Sequence, residues 1–309
     1  MKVSLVIPIF KNEANLKDLC TTLVEQEKKF RKINHSLEPV LVIDGSPDNC
    51  LKILLSAKSK GLLPINSRIV ELSKNYGQVS AILAGLEVSS GNCCICYSAD
   101  QQDPPELILE LFKHYLKKHE IVIAVRSSRD DGLFQRVTSK IGYWFLRIKS
   151  PEIPKGGFDF FLVGNIAKRF ILERTGSRRF LQADILNLGF SPVFIEYKRS
   201  KRTLGKSAYN FRKRLNIFID AIFDSTDLFI KLATRLGFFI ACSGLFSSIF
   251  LFIQYFRGYS PYDGFTAIIS SILVLGGSQL MMLGIIGEYT YRIYDITRNR
   301  PTYIVKNIF

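Results

Sequence analysis

The residues best suited to chemistry lie in Ser98-Ala99-Asp100-Gln101-Gln102-Asp103-Pro104-Pro105-Glu106, directly after the apolar run Cys93–Tyr97. A carboxylate at such a position can hold a hard divalent cation through oxygen. The cation can then neutralise a diphosphate that a bare carboxylate would repel. Asp103 and Glu106 also suit the opening turn of a helix, where prolines and acids are favoured, but that role leaves Asp100 and Gln102 unexplained. A second constellation is cationic. Lys198, Arg199, Lys201, Arg202, Lys206 and Arg212–Arg214 place eight basic residues within 17 positions that contain no acid. Beside an anionic leaflet such residues contribute about 1 kcal/mol each to adhesion. Gly205-Lys206-Ser207 looks like the end of a phosphate-binding loop, but Ser200 stands where the first glycine is needed. No G-x-G-x-x-G follows the first strand-like run, and the three histidines form no H-E-x-x-H.

The elements that must position these residues alternate from the start. Val3–Ile9, Val40–Ile43, Ile69–Leu72, Cys93–Tyr97 and Ile121–Val125 read as strands; Asn15–Phe30, Gln78–Val88 and Pro105–Lys118 have helical spacing. Such alternation predicts an α/β fold, a mostly parallel Rossmann-like sheet with helices on both faces. Ligands in such sheets bind beyond the carboxyl ends of the strands, where Lys11-Asn12-Glu13, Asp44-Gly45-Ser46, Asp100–Asp103 and Arg126 fall. The cysteines show no zinc spacing; Cys93, Cys94 and Cys96 lie in an apolar strand-like run and read as core residues of a reduced, cytosolic domain.

Two uncharged runs, Leu236–Phe256 and Gly264–Gly287, hold 21 and 24 residues. About 20 apolar residues cover the hydrocarbon core of a bilayer, so the pair predicts a transmembrane hairpin joined by Arg257–Asp263. Before it, Phe211, Leu215, Phe218, Ile219, Ile222 and Phe223 form one apolar face, the pattern of a helix lying in the membrane interface. The expected organisation is a soluble domain over 1–210, an interfacial helix over 211–235, a two-span hairpin over 236–288 and a tail over 289–309. The basic bias on both flanks places the soluble domain and the tail in the cytoplasm. The apolar stretch after Lys2 ends at Lys11, too short for a secretory leader. The net charge of +15 raises nucleic acid as a partner. Its concentration beside the spans, with no nucleic-acid motif, argues for a membrane instead.

Ser4–Glu13, Val40–Asp48, Ser98–Glu106, Arg199–Tyr209, Gly284–Tyr289 and Arg300-Pro301 resemble the family 2 glycosyltransferases. They are most similar to the polyprenyl-phosphate branch, which includes dolichol-phosphate mannose synthase and bactoprenol glucosyltransferases. The resemblance covers nearly the whole chain. It implies a GT-A-type domain that transfers a sugar, with inversion, from a nucleotide-sugar to polyprenyl phosphate. A UDP-sugar such as UDP-glucose is the expected donor, a Mg2+ or Mn2+ ion the cofactor, and a lipid-linked sugar for envelope glycan modification the product. Homo-oligomers through the spans are compatible with it.

The resemblance also implies roles residue by residue. Pro8, Asn12 and Glu13 would line the nucleotide pocket. Asp44 matches the second acid of a D-D-G-S motif whose first acid is replaced by Ile43, and with Gln102 would join the residues that bind the nucleotide-sugar. Asp100 matches the second acid of D-x-D, with Ser98 in place of the first, and would hold the cation together with Gln102. Asp159, in Asp159-Phe160-Phe161-Leu162, would stand near the acceptor as a catalytic residue beside Asp100 and Arg126. Arg136, Arg199, Arg202, Lys206, Ser207 and Tyr209 would face the acceptor phosphate. A phosphomonoester is largely dianionic at neutral pH, so the acceptor brings its own nucleophile and needs cations more than a base.

Two other readings compete. A processive polysaccharide synthase would carry Q-x-x-R-W, which is absent; the lone tryptophan is Trp144. A non-catalytic scaffold with a degenerate sugar-nucleotide fold would explain Ile43 and Ser98, but not the retention of Asp100, Gln102, Asp159 and the basic cluster.

Overall fold

The computed structural model describes residues 1–127, 154, 157–174, 179–198, 265–297 and 301–309, with the single positions 235, 237, 239, 246, 249, 253 and 257. The chain divides into two compact units, Met1–Ser225 with Arg300–Phe309, and Thr226–Asn299.

The first unit is built on an eight-stranded sheet of order β7-β5-β6-β4-β1-β2-β3-β8. The strands are β1 (Lys2–Ile9), β2 (Ser36–Ile43), β3 (Arg68–Leu72), β4 (Cys93–Cys96), β5 (Ile121–Arg126), β6 (Phe160–Gly164), β7 (Val193–Tyr197) and β8 (Val305–Ile308). Its helices are α1 (Leu16–Lys32), α2 (Cys50–Ser59), α3 (Gln78–Val88), α4 (Glu106–Leu116), α5 (Asn165–Glu173) and α6 (Leu181–Leu186). Central strands are mostly apolar because both faces are covered, with Ser4 and Glu38 as buried exceptions. Along β1 the two-residue period sends Val3, Leu5, Ile7 and Ile9 into a core shared with α1, α2 and α4. Val6 turns the other way, into a core with α3, α5 and α6.

The five strands expected from sequence are present. The sheet is mixed, however. β6 runs antiparallel to both β4 and β5, and β8 antiparallel to β3. β2 begins at Ser36, before Pro39. Ser36 N donates to Met1 O, so alternation turns the proline nitrogen away from β1, to the side where β3 pairs only from Val40 onward. The cysteines Cys20, Cys50, Cys93, Cys94 and Cys96 are buried and free, as core residues; burial, then the neighbouring Asp48, push the Cys50 thiol up to about 12.

The segment 289–309 is not a simple tail. Its first part continues a helix, and Val305–Ile308 form the sheet's eighth strand, capped by reciprocal bonds between Ile69 and Phe309 at 3.0 and 2.8 Å. In the second unit, α7 runs over Phe265–Thr297, 33 residues. Among the described residues no helix is long and apolar enough to cross a membrane, so the expectation of two spans rests on the sequence. The expected interfacial helix lies outside the described residues, apart from Arg235.

Candidate active site

The carboxyl ends of β1, β2, β4, β5 and β7 share one edge of the sheet, because these strands are mutually parallel through β1 and through the antiparallel β6 between β4 and β5. The reversed direction of β6 brings its amino end to that same edge. Asp159, the residue before Phe160, therefore joins Tyr97, Arg126 and Tyr197 there, although it precedes a strand rather than following one.

On the β1–β2 side, Asp44 is 3% exposed. Its carboxylate accepts from the amides of Tyr76 and Gly77 at 2.7 and 2.9 Å, and its own amide donates to Ile9 O. Asp44 thus anchors the turn after β3. Gly45 follows at φ +55°, and a Cβ there would lie 2.2 Å from the Lys74 carbonyl carbon, so the two turns touch backbone to backbone. The Glu13 carboxylate accepts from the Asn49 amide at 3.1 Å and from its side chain at 3.4 Å, where α2 begins. Asn12 Oδ1 accepts from the Phe10 amide at 3.3 Å. Pro8 lies within β1, paired with Val42. Ile43 is 2% exposed and belongs to the apolar core.

On the β4–β7 side, Asp100 Oδ1 accepts from the Ser98 hydroxyl at 2.9 Å and from the Gln102 amide at 3.3 Å. Between them Gln101 adopts φ +54°, an unusual conformation for a residue with a side chain. Asp103 is 1% exposed. Its carbonyl accepts from Tyr97 OH at 2.9 Å and its carboxylate from Tyr197 OH at 2.6 Å. Tyr197 OH in turn accepts from Arg126 Nε at 3.4 Å, and Arg126 pairs with Asp159 at 3.0 Å. Burial alone would lower the Arg126 pKa, but Asp159 and the Tyr197 hydroxyl more than offset it, and the guanidinium is held above its ordinary value. Burial, followed by the Asp103 carboxylate, pushes the Tyr197 phenol well up.

The sequence model of "Glycosyl transferase family 2" matches residues 4–175, more than half of the chain. The chain belongs to glycosyl transferase family 2. This family 2 enzyme is 32% identical over 311 residues to an uncharacterized glycosyltransferase of Synechocystis sp., covering 100% of this chain and 96% of that protein. It is 30% identical over 315 residues to the bactoprenol glucosyl transferase of Shigella phage SfV, covering 99% of each. Among solved structures, glucosyl-3-phosphoglycerate synthase from Mycobacterium tuberculosis, in complex with Mg2+ and uridine-diphosphate, superposes with a TM-score of 0.53 at 14% identity. That match covers 72% of this chain and 76% of that one and shows a common fold.

For this glycosyltransferase the structure joins Arg126 to Asp159 and Asp100 to the Gln102 backbone, as two pairs on one sheet edge. Asp44 accepts from the Tyr76 and Gly77 amides and Glu13 from Asn49, so both shape the turns at the sheet edge where the nucleotide pocket is expected. Arg136, Arg199, Arg202, Lys206, Ser207 and Tyr209 lie outside the described residues. Sequence reasoning missed Tyr97, Asp103 as a buried acceptor, Tyr197, and the Lys74–Gly77 turn. Only the turn carried a signal, the Asn-Tyr-Gly run just before α3. Among the described residues no three acids, histidines or cysteines cluster as a metal site. The Asp103 carboxylate is taken up by Tyr197, which leaves Asp100 as the loop's acid for a cation. One carboxylate with neutral oxygens from Ser98 and Gln102 suits a magnesium-like ion, which takes one or two protein carboxylates and completes its shell with substrate phosphate and water.

Proposed function

We propose that this glycosyltransferase moves a sugar from a UDP-sugar, such as UDP-glucose, to a polyprenyl phosphate at a membrane, with inversion at the anomeric carbon. The observation that carries the reading is the match over 99% of both chains to the phage SfV protein named bactoprenol glucosyl transferase. Support for the membrane comes from the uncharged runs 236–256 and 264–287. The basic flanks support a cytoplasmic catalytic unit joined to two spans.

An acceptor phosphate oxygen attacks the anomeric carbon as the bond from that carbon to the diphosphate oxygen breaks on the opposite face. The new C–O bond takes the electron pair of the phosphate, and the nucleoside diphosphate leaves with the pair of the broken bond. No proton need be removed from the acceptor, because its phosphate is already ionised. The burden is electrostatic: two multiply charged anions must meet. Arg126 uses two of its five N–H donors on Asp159 and Tyr197, and offers a fixed cation for a phosphate beside Asp159. The Asp159 carboxylate, about half exposed, orients that guanidinium and the incoming acceptor. Asp100 and Gln102, with Ser98, would hold a divalent cation, which when bound neutralises the diphosphate leaving group. Arg199, Arg202 and Lys206 grip the acceptor phosphate.

The test is direct. Membranes carrying the full chain are incubated with labelled UDP-glucose, Mg2+ and polyprenyl phosphate, and the lipid phase is analysed. Label in a lipid-linked sugar is expected. Its absence with UDP-glucose and every other UDP-sugar tried would overturn the reading.

A further inference from the structure

Four neighbouring strand ends are joined by one chain of hydrogen bonds. In sheet order these strands are β7, β5, β6 and β4. Their contributions to the shared edge are Tyr197, Arg126, Asp159 and Tyr97, and the bonds among them close on Asp103. The donor directions are fixed by chemistry. A guanidinium only donates, a carboxylate only accepts, and a phenol does one of each. Arg126 therefore donates to Tyr197, and Tyr197 donates its single proton to Asp103. The phenol, raised by burial, stays protonated for that purpose across the physiological range. Its ring is fixed by edge-on packing against Phe160, which also packs against Tyr97.

The two ends of this chain belong to different halves of the chemistry assigned above, on which the inference rests. Asp103 closes the Asp100–Asp103 loop, the donor and cation side. Arg126 and Asp159 form the acceptor side. Asp103 is nearly inaccessible at 1% exposure, so it contributes through what it holds. We propose that Tyr197 is a positioning residue whose hydroxyl ties the Arg126–Asp159 pair to the Asp100–Asp103 loop, so that donor and acceptor subsites keep one relative geometry. Tyr197 also closes β7, two residues before Arg199, so the tie stands at the root of the cationic stretch.

Tyr197→Phe removes the hydroxyl and keeps the ring. It should weaken Mg2+-dependent binding of UDP by about tenfold and lower kcat/KM for polyprenyl phosphate by about 10–100-fold, the usual range for groups that orient a primary shell. A tyrosine that merely packs would change the melting temperature and leave both constants within twofold, and that result would overturn the proposal. So would a change in one constant alone. A second arm does not depend on the acceptor. Arg126→Lys should weaken UDP·Mg2+ binding measurably in the wild-type background and add nothing in the Tyr197→Phe background, because the link is already cut. Equal effects in both backgrounds refute the tie. If the wild-type chain makes no lipid-linked sugar, the proposed function falls, while the UDP titrations still decide the role of Tyr197.

Discussion

Asp44→Asn separates two roles for the same residue. A residue that recognises the nucleotide base would, when changed, weaken nucleotide binding without touching stability. The structure gives Asp44 a different task, accepting two backbone amides at 2.7 and 2.9 Å while 3% exposed. A hydrogen bond to a charged group contributes about 1.5–3 kcal/mol net. Asparagine keeps one acceptor oxygen and turns an N–H toward the other amide, so one bond survives in weaker, neutral form. The expected loss is about 2–3 kcal/mol. For a unit of this size each kcal/mol shifts the melting temperature by about 2–4 °C, which gives a fall of about 4–12 °C. The measurement is a thermal melt of the purified full chain beside a UDP titration. An unchanged melt with weakened UDP binding would refute the anchoring role and restore direct contact.

Gly45→Ala should perturb the same turn by another route, since its Cβ would lie 2.2 and 2.3 Å from the Lys74 and Asn75 backbone at a left-handed φ; a melt lowered by less than about 1 kcal/mol equivalent would contradict the close approach. Asp159→Asn should retain measurable turnover, with a pH–rate profile set by the acceptor's second ionisation near 6; complete inactivity with normal folding would make Asp159 an obligatory base. Glu38 is buried among Ser4, Ser90, Lys2 and Arg68. Burial would raise its pKa, but the bonds from Ser4, Ser90 and Lys2 outweigh that and lower it. Its stabilisation is therefore present above the usual glutamate value of about 4.3 and lost as pH falls through the lower folded value. Glu38→Gln should lower the melting temperature at pH 7 and flatten its acid limb; a parallel offset at every pH would contradict this linkage.

The five strands read from sequence were legible because burial on both faces demands predominantly apolar runs, which Ser4 and Glu71 interrupt only singly. The rest of the sheet was not. β7 is an edge strand with a broken burial pattern, and β8, Val-Lys-Asn-Ile, has two polar residues in four; pairing, not composition, makes them strands. The reversed direction of β6 has no local signature, yet it delivers Asp159 to the strand ends. In the site, Asp100 and Gln102 stood out because they cluster in sequence. Asp44 and Glu13 stood out too, but their partners are 32–36 residues away, so their tasks were invisible. Tyr197 offered no pattern at all: a tyrosine ending a short strand acquires meaning only from Asp103, 94 residues earlier.

The pairing of β8 with β3 constrains topology by counting alone. Arg68–Leu72 and Val305–Ile308 are strands of one sheet, so the residues before and after the second unit occupy the same compartment. A chain that leaves the sheet after β7 and re-enters it at β8 has crossed any intervening bilayer an even number of times. One crossing or three would strand β8 on the far side. β3 would then be left as a bare edge with the Ile69 and Phe309 backbone bonds unmade, and unpaired edges invite aggregation. For the proposed membrane-spanning chain, the C-terminal strand is thus a parity check: only an even number of crossings lets it complete the sheet.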